Sequence, residues 1–159
     1  MTSTTAAAIN KVIVVDAPLD EAFHVFTDRF GDFKPPEHNL LGAPITETVF
    51  EARVDGHIFD RAEDGSECRW ARILVYEPPS RVVFSWDIGP TWQLEPNADN
   101  TSEVEVRFTA ESPTRTKVEL EHRHLDRHGP GWENVRDGVD GAEGWPLYLD
   151  RYAALLSSC

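Results

Sequence analysis

Apolar residues in this chain follow two spacings, and the change from one to the other divides it into a sheet-forming body and a helical end. Near the C-terminus Trp132, Val135, Val139, Ala142, Pro146, Leu149, Ala153 and Leu156 recur in steps of three and four, which gathers them on one helical face. Trp145, Tyr148, Tyr152 and Leu155 widen that face along one flank. So broad an aromatic stripe needs an equally broad apolar partner, and upstream only a sheet can supply it.

The upstream residues alternate instead. Strands are predicted over 9–15, 45–54, 57–61, 67–76, 81–86, 101–110 and 117–124, where β-branched and aromatic residues are dense. Asp55-Gly56, Asp64-Gly65, Pro78-Pro79-Ser80 and a turn at Pro113 separate them. After the first strand a short helix is expected, with Asp16 as N-cap, Asp20 and Glu21 in its first turn, and Ala22, Phe23, Phe26 and Phe30 as its apolar face. Gly31 should stop it. Residues 32–44 read as a loop or broken helical turn, and 89–100 as too broken for a strand. The order β, α, six strands and a long helix contains no βαβ unit, so the class is α+β with an antiparallel sheet curved round the C-terminal helix.

Two departures from the pattern stand out. Val118, Leu120, His122 and His124 share one strand face, which puts two histidines where apolar residues belong. Gly138, Gly141, Gly144 and Pro146 interrupt the final helix, predicting a kink or a break with a restart near Gly144. Gly141 or Gly144 would also let another backbone come close. Large rings on both layers with glycines between them fit a cavity; they fit equally a solid core filled by Trp70, Trp86, Trp132 and Trp145.

Composition narrows the function. At 159 residues, 40% of them apolar and 10% aromatic, the chain suits a single domain over 9–159, with 1–8 small, polar and expected to be disordered. Asp+Glu 28 against Lys+Arg 15 gives a formal charge of -13, which repels phosphate backbones and anionic lipid; no nucleic acid and no membrane partner are expected. Cys68 and Cys159 make no disulfide framework, and without a signal segment or a membrane-length apolar run the expected location is cytoplasmic.

Candidate chemistry is sparse. His122, His124, Asp126 and His128 form the best metal candidate, set against core histidines as the default; no metal is assigned. Cys68 lies in a predicted strand without a nucleophile-elbow context. His122 as a general acid or base within a cavity is the more credible catalytic reading. The glycines from 129 to 144 match no nucleotide-binding pattern, so no cofactor is expected. Arg69 and Arg72 belong with neighbouring carboxylates.

The run Trp70-Ala71-Arg72-Ile73-Leu74-Val75-Tyr76-Glu77-Pro78-Pro79-Ser80-Arg81-Val82-Val83-Phe84-Ser85-Trp86 resembles the central hairpin of the START-like, helix-grip (SRPBCC) superfamily. More closely it resembles the branch named after the activator of the ninety-kilodalton heat-shock protein's ATPase. Val15-Asp16-Ala17-Pro18 with Ala22-Phe23, Val54-Asp55-Gly56-His57, Leu120-Glu121-His122-Arg123, and Glu143-Gly144-Trp145 with Leu149 extend the likeness over residues 9–157. The resemblance implies about seven antiparallel strands gripping a long C-terminal helix, two short helices after strand one, and an apolar cavity between sheet and helix. Phe33-Lys34-Pro35 stands where family members often carry Trp-Trp-Pro, so the cavity mouth should differ. The co-chaperone's separate N-terminal domain has no counterpart here, which leaves a chaperone partner as an alternative only.

The function expected on these grounds is binding of a small apolar or aromatic ligand between sheet and helix. Phe26, Phe30, Trp70, Phe84, Trp86, Phe108, Trp132, Trp145 and Leu149 would form the walls, with His122 and Tyr148 as polar contacts. The face of Trp70 stays open, since Ala71, Ile73 and Val75 compete for the inward side. A cyclase- or hydrolase-type enzyme using His122 is the catalytic alternative, and a homodimer through a strand edge is compatible with so short a domain.

Overall fold

In the computed structural model, which describes residues 8–35 and 38–157, alternation and turn chemistry give the strands their places. In chain order come β1 (Ile9–Val15), α1 (Leu19–Asp28), α2 (Phe30–Phe33), β2 (Ile45–Phe50), β3 (His57–Ala62), β4 (Glu67–Glu77), β5 (Arg81–Trp86), β6 (Ser102–Ser112), β7 (Arg115–Arg123), α3 (Trp132–Asp140) and α4 (Trp145–Ser157). All strand pairs are antiparallel, in the order β1-β7-β6-β5-β4-β3-β2. β1 and β2 are therefore the two edges, and the connection between them carries α1 and α2 across one end of the curled sheet. This is the α+β helix-grip architecture expected from the sequence. Residues 1–7 of the N-terminal segment expected to be disordered, and Cys159, lie outside the described residues.

Register lines up the inward residues. Ile73, Phe84, Val104, His122 and Ile9 form one row across five strands, and Val82, Val106 and Leu120 the next. All eight are buried. The competition for the inward side of β4 is settled by register shifts, one opposite Ile58/Phe59 and one between Ile73 and Val75. Each inserts an extra residue and so resets the side-chain parity. Trp70 and Ile73 can then both face the core, and both are buried.

Several local expectations are corrected. β2 ends at Phe50, because residues after it turn back: the Glu51 carboxylate accepts the His57 backbone N–H at 2.9 Å, and Asp55 has a φ of 69°. Asp16 does not cap α1; Pro18 occupies that position, with no side-chain bond. Gly31 does not end α1 either, but lies inside α2, set against Thr48 of β2. β7 stops at Arg123, and His124 swings out in a left-handed conformation (φ 60°) and is exposed, so only His122 of that pair is inward.

The final helix breaks where the glycines are. α3 ends at Asp140 and α4 restarts at Trp145. Gly144 makes so abrupt a restart feasible: a Cβ there would sit 2.2 Å from the Val139 carbonyl oxygen and 2.5 Å from its carbon. Below the break the interior is filled with rings. Phe26, Phe33 and Tyr152 meet at 5.3–5.4 Å between centroids, and the Tyr152 hydroxyl donates to the Ala22 carbonyl at 2.6 Å, which ties α4 to α1.

Gly144→Ala is expected to lower stability by about 2–4 kcal/mol, since backbone cannot yield to the new methyl as a side chain would. Gly42→Ala, with open space around its Cα, should be neutral or raise stability by a few tenths up to about 1 kcal/mol. Urea denaturation of both variants checks the pair.

Candidate functional site

Above the ring-filled half the sheet and the broken helix leave a cavity of about 380 Å³. Trp70 and Trp86 line it from β4 and β5, Gly138 and Val139 from α3, and Glu143, Gly144, Trp145 and Tyr148 from the break and the start of α4. Lys34, His38, Asn39 and Leu40 come from the chain after α2, Asp60 from β3, and Ile88 and Trp92 from the loop after β5. The aromatic wall is continuous: Trp70 meets Trp86 at 5.4 Å, Trp86 meets Trp145 at 5.6 Å, and Trp145 meets Tyr148 at 5.1 Å. The Nε1 atoms of Trp70 and Trp86 are buried and have no hydrogen-bond acceptor among the described residues, an uncommon state for an indole N–H.

Of the expected wall residues, Trp70, Trp86, Trp145 and Tyr148 line the cavity. Phe26, Phe30, Phe84, Phe108 and Leu149 are buried in the packed core instead, and Trp132 is half-buried with the Arg136 guanidinium over its ring at 5.1 Å. Helical and strand periodicity put all of these inward, but do not say which inward positions meet rings and which meet space.

The polar side of the cavity is a buried ion pair. The Lys34 ammonium lies 3.2 Å from one oxygen of Asp60, and the two side chains are only 5% and 3% exposed. Lys34 also donates to the His38 carbonyl at 2.5 Å, and the other Asp60 oxygen accepts from Thr48 Oγ1 at 2.6 Å. His38 Nδ1 and the Tyr148 hydroxyl are 2.9 Å apart. Two charges so little exposed are retained only with several such partners, because desolvation costs several kcal/mol per ion. Sequence reasoning missed both. The signals were present: Asp60 is a carboxylate at an inward position between Ile58 and Ala62, and Lys34 falls where the resemblance departs from Trp-Trp-Pro.

His122 does not line the cavity. It lies behind Trp145, whose Nε1–H donates to His122 Nδ1 at 3.0 Å. An indole can only donate, so His122 must carry its proton on Nε2 and donate it to Ser102 Oγ, 2.7 Å away. The Ser102 hydroxyl then donates to His128 Nε2 at 2.8 Å. This leaves the His128 proton on Nδ1, a buried atom with no partner among the described residues. All the bonds of this chain run one way, from the cavity wall to the turn after β7. Burial, with His128 adding to it, pushes the His122 pKa down to about 3. Burial lowers His128 too, against the opposing pull of Glu95 and Asp87.

The four-residue metal candidate is thus split, because His124 and Asp126 are exposed while His122 and His128 meet at Ser102. Among the described residues no group of three or more His, Cys, Asp and Glu side chains could hold a metal ion. Cys68 is buried, and burial, with Asp60 adding to it against Lys34, raises its pKa to about 11, so it stays a thiol rather than a nucleophile. Arg69 pairs with Glu67 at 3.1 Å and Arg72 with Asp87 at 3.2 Å, as their neighbouring carboxylates suggested. No helix among the described residues is long and apolar enough to cross a membrane.

A curled sheet of seven antiparallel strands, closed by a C-terminal helix and hollow at one end, defines a START-like (SRPBCC) helix-grip protein. Within that class the chain belongs to the family described as Activator of Hsp90 ATPase homolog 1-like protein, whose profile matches residues 16–157. Among solved structures, an anthrahydroquino-γ-pyrone synthase in complex with a ligand is 38% identical, with 93% of this chain and 96% of that one covered and a TM-score of 0.67. A self-sacrificing resistance protein from Micromonospora echinospora is 26% identical over 95% of this chain and 94% of its own, with a TM-score of 0.62. A protein from Nitrosomonas europaea shares the fold at 10% identity, 99% coverage of both chains and a TM-score of 0.68. No curated protein matches significantly.

The depressed histidines fix the sign of an acid response. His122 protonates near pH 6.5 when unfolded but only near pH 3 when folded, so the unfolded state binds more protons between these values. Its contribution is complete above about pH 6.5 and is lost as pH falls towards 3. Going from pH 7 to 5 should therefore cost about 2 kcal/mol for a histidine shifted this far. Glu105, held down to about 2 by Arg123 and Arg81 despite its own burial, responds at lower pH. Urea midpoints across pH 5–7 test this, and His122→Gln, which still accepts from Trp145 and donates to Ser102 without titrating, should flatten the profile.

Proposed function

We propose that this protein holds a flat, oxygen-rich aromatic molecule of polyketide type in the cavity and closes a pyrone-type oxygen ring on it. The observation that carries this reading is the combination, around one cavity, of an aromatic lining that includes Trp70, Trp86, Trp92, Trp145 and Tyr148 with a buried lysine. Rings offer stacking partners to a fused aromatic system. The polar groups suit its carbonyl and phenolic oxygens, which a purely aliphatic lipid lacks. The 38% identity to a γ-pyrone synthase over nearly the full length of both chains supports the same substrate class.

The chemistry asked of such a site is modest. A phenol oxygen adds to a side-chain carbonyl carbon, forming the C–O bond, while the phenol proton leaves and the carbonyl oxygen takes one up. Loss of that hydroxyl as water, with a proton from the neighbouring carbon, completes the ring with no net oxidation or reduction. A cage that holds the side chain folded over the phenol supplies most of what is needed, because two groups of one molecule react far faster once oriented. In this reading the Lys34 ammonium, held by Asp60 and the His38 carbonyl, stabilises negative charge growing on the carbonyl or enolate oxygen. His122 acts through Trp145, whose indole it holds, and not as a base on the ligand.

The test is incubation with a 1-hydroxyanthraquinone bearing a 1,3-diketone side chain on the adjacent carbon, followed by mass spectrometry for loss of one water. Lys34→Met should lower kcat by about 10²–10³-fold, the usual effect of removing one stabiliser of developing negative charge. Because that change leaves Asp60 buried without its counter-charge, Lys34→Met/Asp60→Asn is measured beside it and should be better folded and equally slow. Binding without turnover by the unaltered protein would overturn the ring-closing step and leave a carrier; absence of binding would overturn the reading altogether.

A further inference from the structure

Trp92 combines three features that no packing requirement explains together. Its backbone is left-handed (φ 60°), a conformation that glycine or asparagine adopts readily and a bulky ring does not. It is 44% exposed, at the cavity lining. Its ring lies on Gly138 of α3, where a Cβ would come within 2.4 Å of Trp92 Cη2. Gly138 is in turn unfavourable inside a helix. Two residues that each break a local rule meet at one contact, and that contact is on the rim of the site. Such conflicts between local preference and fold concentrate where function needs them.

The loop that presents Trp92 is braced at its base and docked at its tip. Ile88 bridges to Leu94, the Glu95 backbone N–H donates to the Asp87 carbonyl at 2.8 Å, and Gly89 and Gln93 close the turn at 2.9 Å. The Pro90 ring lies against Gly131, at the start of α3, so the loop touches that helix at both ends. Trp92 is therefore held over the mouth by the protein's own backbone, not left to wander in solvent.

We propose that Trp92 is the specificity-determining lip of the cavity, seated on Gly138 so that its ring stacks on the part of a fused aromatic ligand that the inner tryptophans do not reach. A three-ring molecule has more face to cover than a two-ring one, so it is the one expected to gain from the lip. This inference rests on the cavity being an aromatic-ligand site, and the probes are chosen so that the two ideas fail separately.

The probes are 1,8-dihydroxyanthraquinone for three rings and 1-naphthol for two, with affinities from equilibrium titration and dissociation rates from stopped-flow displacement. Trp92→Gly relieves the positive φ but gives up the ring's packing on Gly138, so the fold should be kept with at most a small loss of thermal stability while the anthraquinone dissociates about ten-fold faster, a loss of the size expected for one aromatic stack with its buried area. Naphthol dissociation should change less than about two-fold. Trp92→Phe should restore part of the anthraquinone's residence time. Gly138→Ala, whose methyl meets the movable end of the Trp92 ring, should reproduce the anthraquinone defect with Trp92 still present. Normal binding of both probes by the unaltered protein, with the anthraquinone-to-naphthol ratio unchanged in Trp92→Gly, would overturn the role of Trp92 alone. Failure of the unaltered protein to bind either probe would overturn the aromatic-site reading and the lip with it.

Discussion

The indole N–H that Trp145 gives to His122 is the bond on which the hollow end of this protein depends. It pins the first residue of α4 to β7 at the point where the final helix has just been broken, and so decides how far the restarted helix stands from the sheet. His122 can accept that bond only by turning its own proton towards Ser102, which is why a histidine and a serine occupy positions that alternation reserves for apolar side chains. A leucine in place of His122 would fill the volume but leave the Trp145 donor without an acceptor, at a cost of about 1–3 kcal/mol.

From that tie follows the division of the interior. Towards α1 and α2 the rings of Phe26, Phe30 and Phe33 meet one another and Tyr152, and the space is closed. Towards the break, Gly138 and Gly144 withhold side chains from the helical layer, and Trp70, Trp86 and Trp145 stand as a wall instead of interlocking across the gap. The buried ion pair of this wall, Lys34 with Asp60, comes from α2's exit and from β3, which the curl of the sheet brings together. Acidic excess, in contrast, has little to do with the cavity. Carboxylates such as Glu103, Glu105 and Glu121 flank Arg123 in a network across neighbouring strands.

Much of this was legible beforehand. Two-residue alternation put Val118, Leu120 and His122 on one inward face, and glycine and proline placed the break in the last helix near Gly144. His122 showed itself as a polar residue out of pattern, although its task as the holder of Trp145 did not. His124 was misread because alternation assumes the strand continues, and a left-handed residue ends it there. Trp70 could not be assigned a face because register shifts in β4 change the parity, and a bulge has no simple composition. Phe26, Phe84 and Phe108 were put in the cavity wall for being large and inward; inward was correct, but their neighbours are rings rather than space.

What the chain determined by itself is everything that rests on local chemistry: side-chain period, turn residues, helix breakers, and the excess of acid over base. These depend on neighbours a few positions away and hold whatever the rest of the chain does. Only the tertiary structure decided that Lys34 meets Asp60, that Ser102 receives His122 and His128 together, and that Trp92 rests on Gly138. Each of these is a contact between residues distant in sequence, set by bulges, sheet curl and the angle of a restarted helix, and no periodicity encodes such angles.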